Sequence, residues 1–192
     1  MIGNLNDVKE VQTNKFAESS LGKKAEAFSI ERTMERTMLL ADKPLAIIYD
    51  CKCCPVENGI WTGERGNSKW CPDKNFIPLK ANSDAKTWHT ILKEYGIDGI
   101  EYKNGEPDFS CISEGTVEIK NFSENRTDNF DKADIELAQQ RGCSPAEIKK
   151  WRRENGYTWH ECKDMKTMQL VPGIIHNNMP HSGGISEAKK GA

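Results

Sequence analysis

No apolar run in this 192-residue chain approaches the roughly 20 residues that a membrane-spanning helix needs, and Met1-Ile2-Gly3-Asn4 opens no signal peptide. A membrane partner is therefore not expected. Hydrophobic residues are scarce too: they make up 36% of the chain, against 29% charged, which predicts a polar, loop-rich protein with a small core. There is no excess of positive charge. A formal net charge of -2 argues against a general nucleic-acid adhesive, although a local basic patch remains possible. Internal repeats and a helix-turn-helix pattern are both missing, which weighs against a solenoid and against a DNA-binding regulator. Histidine is rare as well. Of the four present, His160, His176 and His181 all fall in the stretch Trp159–Gly184.

Seven cysteines form an odd set, and without a signal peptide they point to a reduced setting. Cys51, Cys53, Cys54 and Cys71 have enough thiols for a structural zinc, but paired zinc knuckles repeat Cys-x-x-Cys and here the second half has one cysteine. Free, partly buried thiols are the favoured reading. Cys111, Cys143 and Cys162 stand alone.

In chain order, 25–40 has roughly helical apolar spacing, Pro44 breaks it, and Leu45-Ala46-Ile47-Ile48-Tyr49 reads as a strand. Residues 1–43 thus form a polar helical extension or linker remnant, and 44–192 the main domain. In Gly63-Glu64-Arg65-Gly66-Asn67-Ser68, Arg65 and Ser68 suit either a phosphate contact or a plain glycine-rich turn. Ala85–Tyr95 reads as a helix capped by Asn82-Ser83-Asp84, with His89 as a surface or core histidine. Gly99–Tyr102 and Val117–Ile119 read as strands, and Phe130–Arg141 as a helix. Ser144-Pro145-Ala146-Glu147 carries a capping box and starts another helix. Its Lys149, Lys150, Arg152 and Arg153 form either a nucleic-acid patch or a solvated face.

Next come two short extended segments, Thr158–Cys162 and Met168–Val171, joined by a loop short enough for a hairpin. Pro172 can open a helix, and Pro180 ends it and swings His181 back. The product is a strand–strand–helix finger, at about 157–184, with imidazoles on two of its elements.

The order Thr158-Trp159-His160-Glu161, Met168-Gln169-Leu170-Val171-Pro172, His176, His181 and Gly183-Gly184 resembles the HNH/endonuclease VII superfamily of ββα-metal nucleases. More narrowly it resembles bacterial polymorphic-toxin nucleases with a Trp-His-His or Trp-His-Glu signature. The likeness extends, more loosely, through the Gly63–Ser68 segment and Tyr95–Ile100 to Pro107-Asp108-Phe109. It implies an α+β fold, with the ββα-metal finger packed on a small helix-and-strand domain. It implies a metal-dependent endonuclease toxin, with DNA favoured over RNA because external water is activated and no 2′-hydroxyl is needed. It implies one divalent ion (Mg, Zn, Mn or Ni) and a cognate immunity protein. A delivered toxin module acting in the cytoplasm of a target bacterium is the matching location. By position, His176 and His181 become metal ligands, and His160 and Glu161 a base–ligand pair. His160 is preferred as base, with the reverse order left open. Gln169 takes the place of the motif's central Asn, where it orients the base, and Asp164 lies within possible reach. The competing readings are a non-catalytic zinc-binding interaction module and a regulator's nucleic-acid-binding domain.

Overall fold

A computed structural model describes residues 51–190, all within one compact unit, Ile48–Ala192. The helix expected over 25–40 and the strand at Leu45–Tyr49 lie outside the described residues. The fold is α+β. Its elements run β1 (Gly59–Trp61), β2 (Lys69–Pro72), α1 (Trp88–Glu94), β3 (Ile100–Lys103), β4 (Glu106–Pro107) and β5 (Gly115–Glu118). Then follow α2 (Arg126–Arg141), α3 (Pro145–Glu154), β6 (Tyr157–Glu161), β7 (Thr167–Pro172), α4 (Gly173–His176) and α5 (Gly184–Ala188). Among these residues no helix is long and apolar enough to cross a membrane.

The strands make two antiparallel sheets, one ordered β1-β2-β3-β4 and one ordered β5-β7-β6. Each sheet has its own core. Around the first sheet, Trp70, Trp88, Ile91, Leu92, Ile100, Tyr102 and Phe109 pack with Val171, Ile175 and Met179. Around the second, Val117, Ala133, Leu137, Ile148, Trp159, Met168 and Leu170 pack together under α2 and α3. Strand β7 serves both. Side chains alternate along a strand, so Met168 and Leu170 enter the second core while Val171 enters the first.

Local chemistry explains the boundaries. Helix α2 begins at Arg126, earlier than the expected Phe130, because the Asn125 side chain accepts from the N–H groups of Thr127 and Asp128. Gly142, at φ 67°, ends it and returns its N–H to Ala138 O. The capping box at Ser144 and Glu147 forms as read. Helix α1 starts at Trp88 under a Thr87 cap, not at Ala85. Asn82 is diverted into closing its own loop, bonding Pro78 O and the backbone of Lys86. Pro172 ends β7 and stands just outside α4 rather than opening it from within.

The helices are locked to β6 by one buried carboxylate. Asp134 of α2 receives the Trp159 Nε1–H at 2.8 Å and a forked contact from Arg152 of α3, with Nε and Nη2 each at 2.9 Å. Arg152 is only 7% exposed, so it is not the surface cation that the amphipathic reading of α3 suggested. Gly183 and Gly184 hold the chain's last turn against β6. A Cβ on them would lie 2.7 Å from Glu161 O and 2.6 Å from Cys162 O respectively, closer than side-chain carbons approach backbone oxygens.

Candidate active site

His160 sits on β6 opposite Gln169 of β7, while Trp159 opposes Leu170. Trp159 fills the second core, so alternation points His160 to the other face, toward Phe109. His176 closes α4, which is anchored by buried Ile175 and Met179, and His181 follows Pro180. The three rings converge. Their centroids are 5.4 Å (His160–His176), 4.9 Å (His160–His181) and 5.2 Å (His176–His181) apart. One nitrogen from each lies within 4.8 Å of the others. Phe109, fully buried, is the apolar floor, with its centroid 5.0, 5.7 and 6.0 Å from His160, His176 and His181.

Both ring nitrogens of His160 are buried without a hydrogen-bond partner. An unpaired buried polar atom is costly, and an ion shared by the three rings would supply the missing partner. The donor set suits one: neutral imidazole is a good ligand for borderline divalent metals. Burial, and then the neighbouring histidines, lower the pKa of His176 to about 3 and that of His181 to about 4. Both rings therefore remain neutral in the folded protein at any physiological pH. His181 Nδ1 is 2.7 Å from Met179 O and His176 Nδ1 is 3.3 Å from Asn177 Oδ1, which leaves the Nε2 atoms of those two rings free to ligate.

These depressed values make a stability prediction for the metal-free protein. In the unfolded chain both histidines protonate near the ordinary pKa of about 6.5. Below that pH the unfolded state binds more protons than the folded one, so stability falls as acid is added, until the folded-state values are reached. In chelator, thermal unfolding between pH 7 and pH 5 should show a loss on the order of 1 kcal/mol per ring. His176→Gln should flatten the profile. A flat wild-type profile would mean that the rings are hydrated.

The three histidines line a pocket of about 270 Å³ together with Arg126, Glu161, Asn177, Met179, Pro180, Gly183, Ile185 and Ser186. Glu161 is next to His160 in sequence but on the opposite face of the sheet. Its carboxylate, 4% exposed, accepts from Arg126 Nε at 2.9 Å and from Asn129 Nδ2 at 2.9 Å. Arg126 stands in the first turn of α2 and keeps a 63% exposed side chain at the pocket's mouth.

Other sequence candidates lie elsewhere. The Arg65 guanidinium donates to Cys54 O at 2.7 Å, and Ser68 Oγ closes its own loop between Gly63 N and Glu64 O. Neither lines the pocket, so they hold a turn rather than a phosphate at this site. Lys149 pairs with Asp131 at 2.7 Å, Lys150 approaches Glu154, and Arg153 is exposed on α3, away from the pocket lining. Asp164 caps the β6–β7 turn through the N–H groups of Lys166 and Thr167. His89 is exposed on α1. Cys51, Cys53, Cys54 and Cys71 are free thiols, and none belongs to a group spaced to share an ion among the described residues. Gln169 has the expected register with His160, but among the described residues no hydrogen bond joins it to the three rings.

Sequence reasoning missed Arg126, Asn129 and Glu106. Arg126 and Asn129 lie in a polar run with no apolar period. Glu106 directly precedes the Pro107-Asp108-Phe109 segment, whose Phe109 proves to touch all three histidines. Burial and the nearby His160 ring and Lys163 N–H act in opposite directions on Glu106. The latter two prevail and keep its carboxyl below the usual carboxylate range.

No curated protein matches the chain. Residues 99–183, from the approach to β3 through all three clustered histidines, are similar to a nuclease toxin domain: they match the family model of the DNase/tRNase domain of colicin-like bacteriocins.

Proposed function

We propose that the protein is a metal-dependent endonuclease toxin of the ββα-metal type that hydrolyses phosphodiester bonds, with DNA as the favoured substrate. The convergence of three histidines, one with both nitrogens unpartnered, in a pocket that also holds Arg126 and Glu161 carries this reading. The match at residues 99–183 supports the nuclease class.

His160, His176 and His181 would hold one divalent cation. Bound there, it would supply Lewis-acid stabilisation of charge on the phosphate and the leaving oxygen. With the three imidazoles engaged, Glu161 is the remaining carboxylate in the pocket, and it is the group we assign to take the proton from the attacking water. This exchanges the roles that the resemblance first suggested for His160 and Glu161. Asn129 and Arg126 hold the Glu161 carboxylate in place. The exposed guanidinium of Arg126 has further N–H groups to offer a non-bridging phosphate oxygen.

A structural zinc module would close its coordination shell with protein side chains. A pocket that opens beside a carboxylate and an arginine favours catalysis instead. The test is plasmid nicking by purified protein. Activity is expected to vanish in chelator and return with a divalent cation, and full activity in excess chelator would remove the assignment. An acidic immunity protein is the expected partner, because it must compete with phosphate for the cations near the site. Expression of the chain alone in bacteria should be toxic and should be relieved by His176→Ala. Harmless accumulation of folded, metal-loaded wild type would count against a toxin.

A further inference from the structure

Each of the three clustered rings has one oxygen nearby from outside the cluster. For His181 it is Met179 O at 2.7 Å, and for His176 it is Asn177 Oδ1 at 3.3 Å. For His160 it is Glu106 Oε1, 3.7 Å from Nε2. Only the third is a carboxylate, and only the third comes from the other sheet.

We infer that Glu106 is a positioning residue that orients His160 toward the ion by accepting its Nε2–H. The inference rests on the metal-dependent reading above. Metal-ligating histidines commonly pass their second ring N–H to a carboxylate or carbonyl, which fixes the tautomer and makes the ligating nitrogen more basic. His181 and His176 have neutral oxygens in this place, so His160 is the ring whose nearest outside oxygen is a carboxylate. At 3.7 Å the two atoms stand beyond hydrogen-bond distance, and the inference is that they close to one when the ion is bound.

Glu106 is itself held for this task. The same Oε1 accepts the Lys163 backbone N–H at 2.6 Å, and Lys163 Nζ donates to Asn104 O at 2.7 Å. These two bonds pin the turn after β6 to the β3–β4 hairpin. They fix Glu106 relative to His160 across the gap between sheets. Phe109, a few residues along from Glu106, lies under the same ring. One short segment therefore supplies both the apolar floor and the charged partner.

The test separates this role from a merely structural one. E106Q keeps an oxygen for the Lys163 N–H and loses the charge that faces His160. Calorimetric titration with Zn(II) and with Ni(II) should show affinity reduced roughly 10- to 100-fold in E106Q. The melting temperature of the metal-free variant should match wild type. Wild-type affinity in E106Q overturns the inference. If E106Q does not fold, nitrogen-15 NMR of the metal-loaded wild type decides. A proton on His160 Nε2 is expected, and a proton on Nδ1 overturns the inference. Wild type that binds neither metal would fell the metal-dependent reading and this inference with it. Metal binding with unchanged E106Q affinity would fell this inference alone.

Discussion

Replacing His160 by alanine is expected to remove metal binding and nucleolytic activity together. The ring sits in a near-equilateral set with His176 and His181, and one of its nitrogens faces the ion that the set would hold. Deleting one of the three proposed ligands should weaken the ion's hold by far more than the loss of an outer contact does. Glu161→Gln should behave differently. The amide preserves the shape and can still accept from Arg126, so metal affinity should stay near wild type. Proton abstraction is lost, and turnover should fall on the order of a hundred- to ten-thousand-fold. Glu161→His should retain more activity than Glu161→Ala, since an imidazole can serve as base. Calorimetry and a nicking assay on the same preparations read both quantities. Metal retained in His160→Ala and lost in Glu161→Gln would return His160 to the role of base and Glu161 to that of ligand.

The second large effect is on stability. Asp134→Ala should destabilise the fold by roughly 3–5 kcal/mol, because it leaves a buried guanidinium without its counter-charge. Arg152 is 7% exposed and Asp134 1%, so the arginine has little water to replace its counter-charge. The same change orphans the Trp159 indole N–H, whose ring packs in the second core. Because His160 follows Trp159 on β6, the destabilised protein should also bind metal more weakly at temperatures well below its midpoint. Denaturant unfolding of the metal-free variant measures the effect. A loss under 1 kcal/mol would mean that the pair is hydrated.

The finger could be read in advance because its information is local. Two short extended segments with a hairpin-length loop between them set β6 and β7, Pro172 and Pro180 bracketed α4, and the histidines are close in sequence. The residues that complete the pocket are not local. Arg126 reaches Glu161 from 35 positions away and Glu106 approaches His160 from β4, and neither distance has a period that a sequence displays. The burial of Arg152 on α3 was not legible for a related reason. Helical spacing shows which side chains share a face, but it does not reveal that Asp134, 18 positions earlier, waits beneath Arg152. Arg65 and Ser68 were ambiguous for want of the same knowledge, and a backbone carbonyl and a short loop took them both.

Strand β7 gives Met168 and Leu170 to one core and Val171 to the other, and α4 continues the second allegiance with Ile175. The finger is therefore not a cassette. Excised as a peptide, it would expose apolar surface on both sides and lose the Phe109 floor, so metal alone should not fold it as it folds a free-standing zinc finger. Transplanted onto another scaffold, it would need two hydrophobic beds rather than one. Evolutionary exchange of this unit between proteins is then expected to move the β3–β4 hairpin, β5 and α2 along with it, as one inherited block.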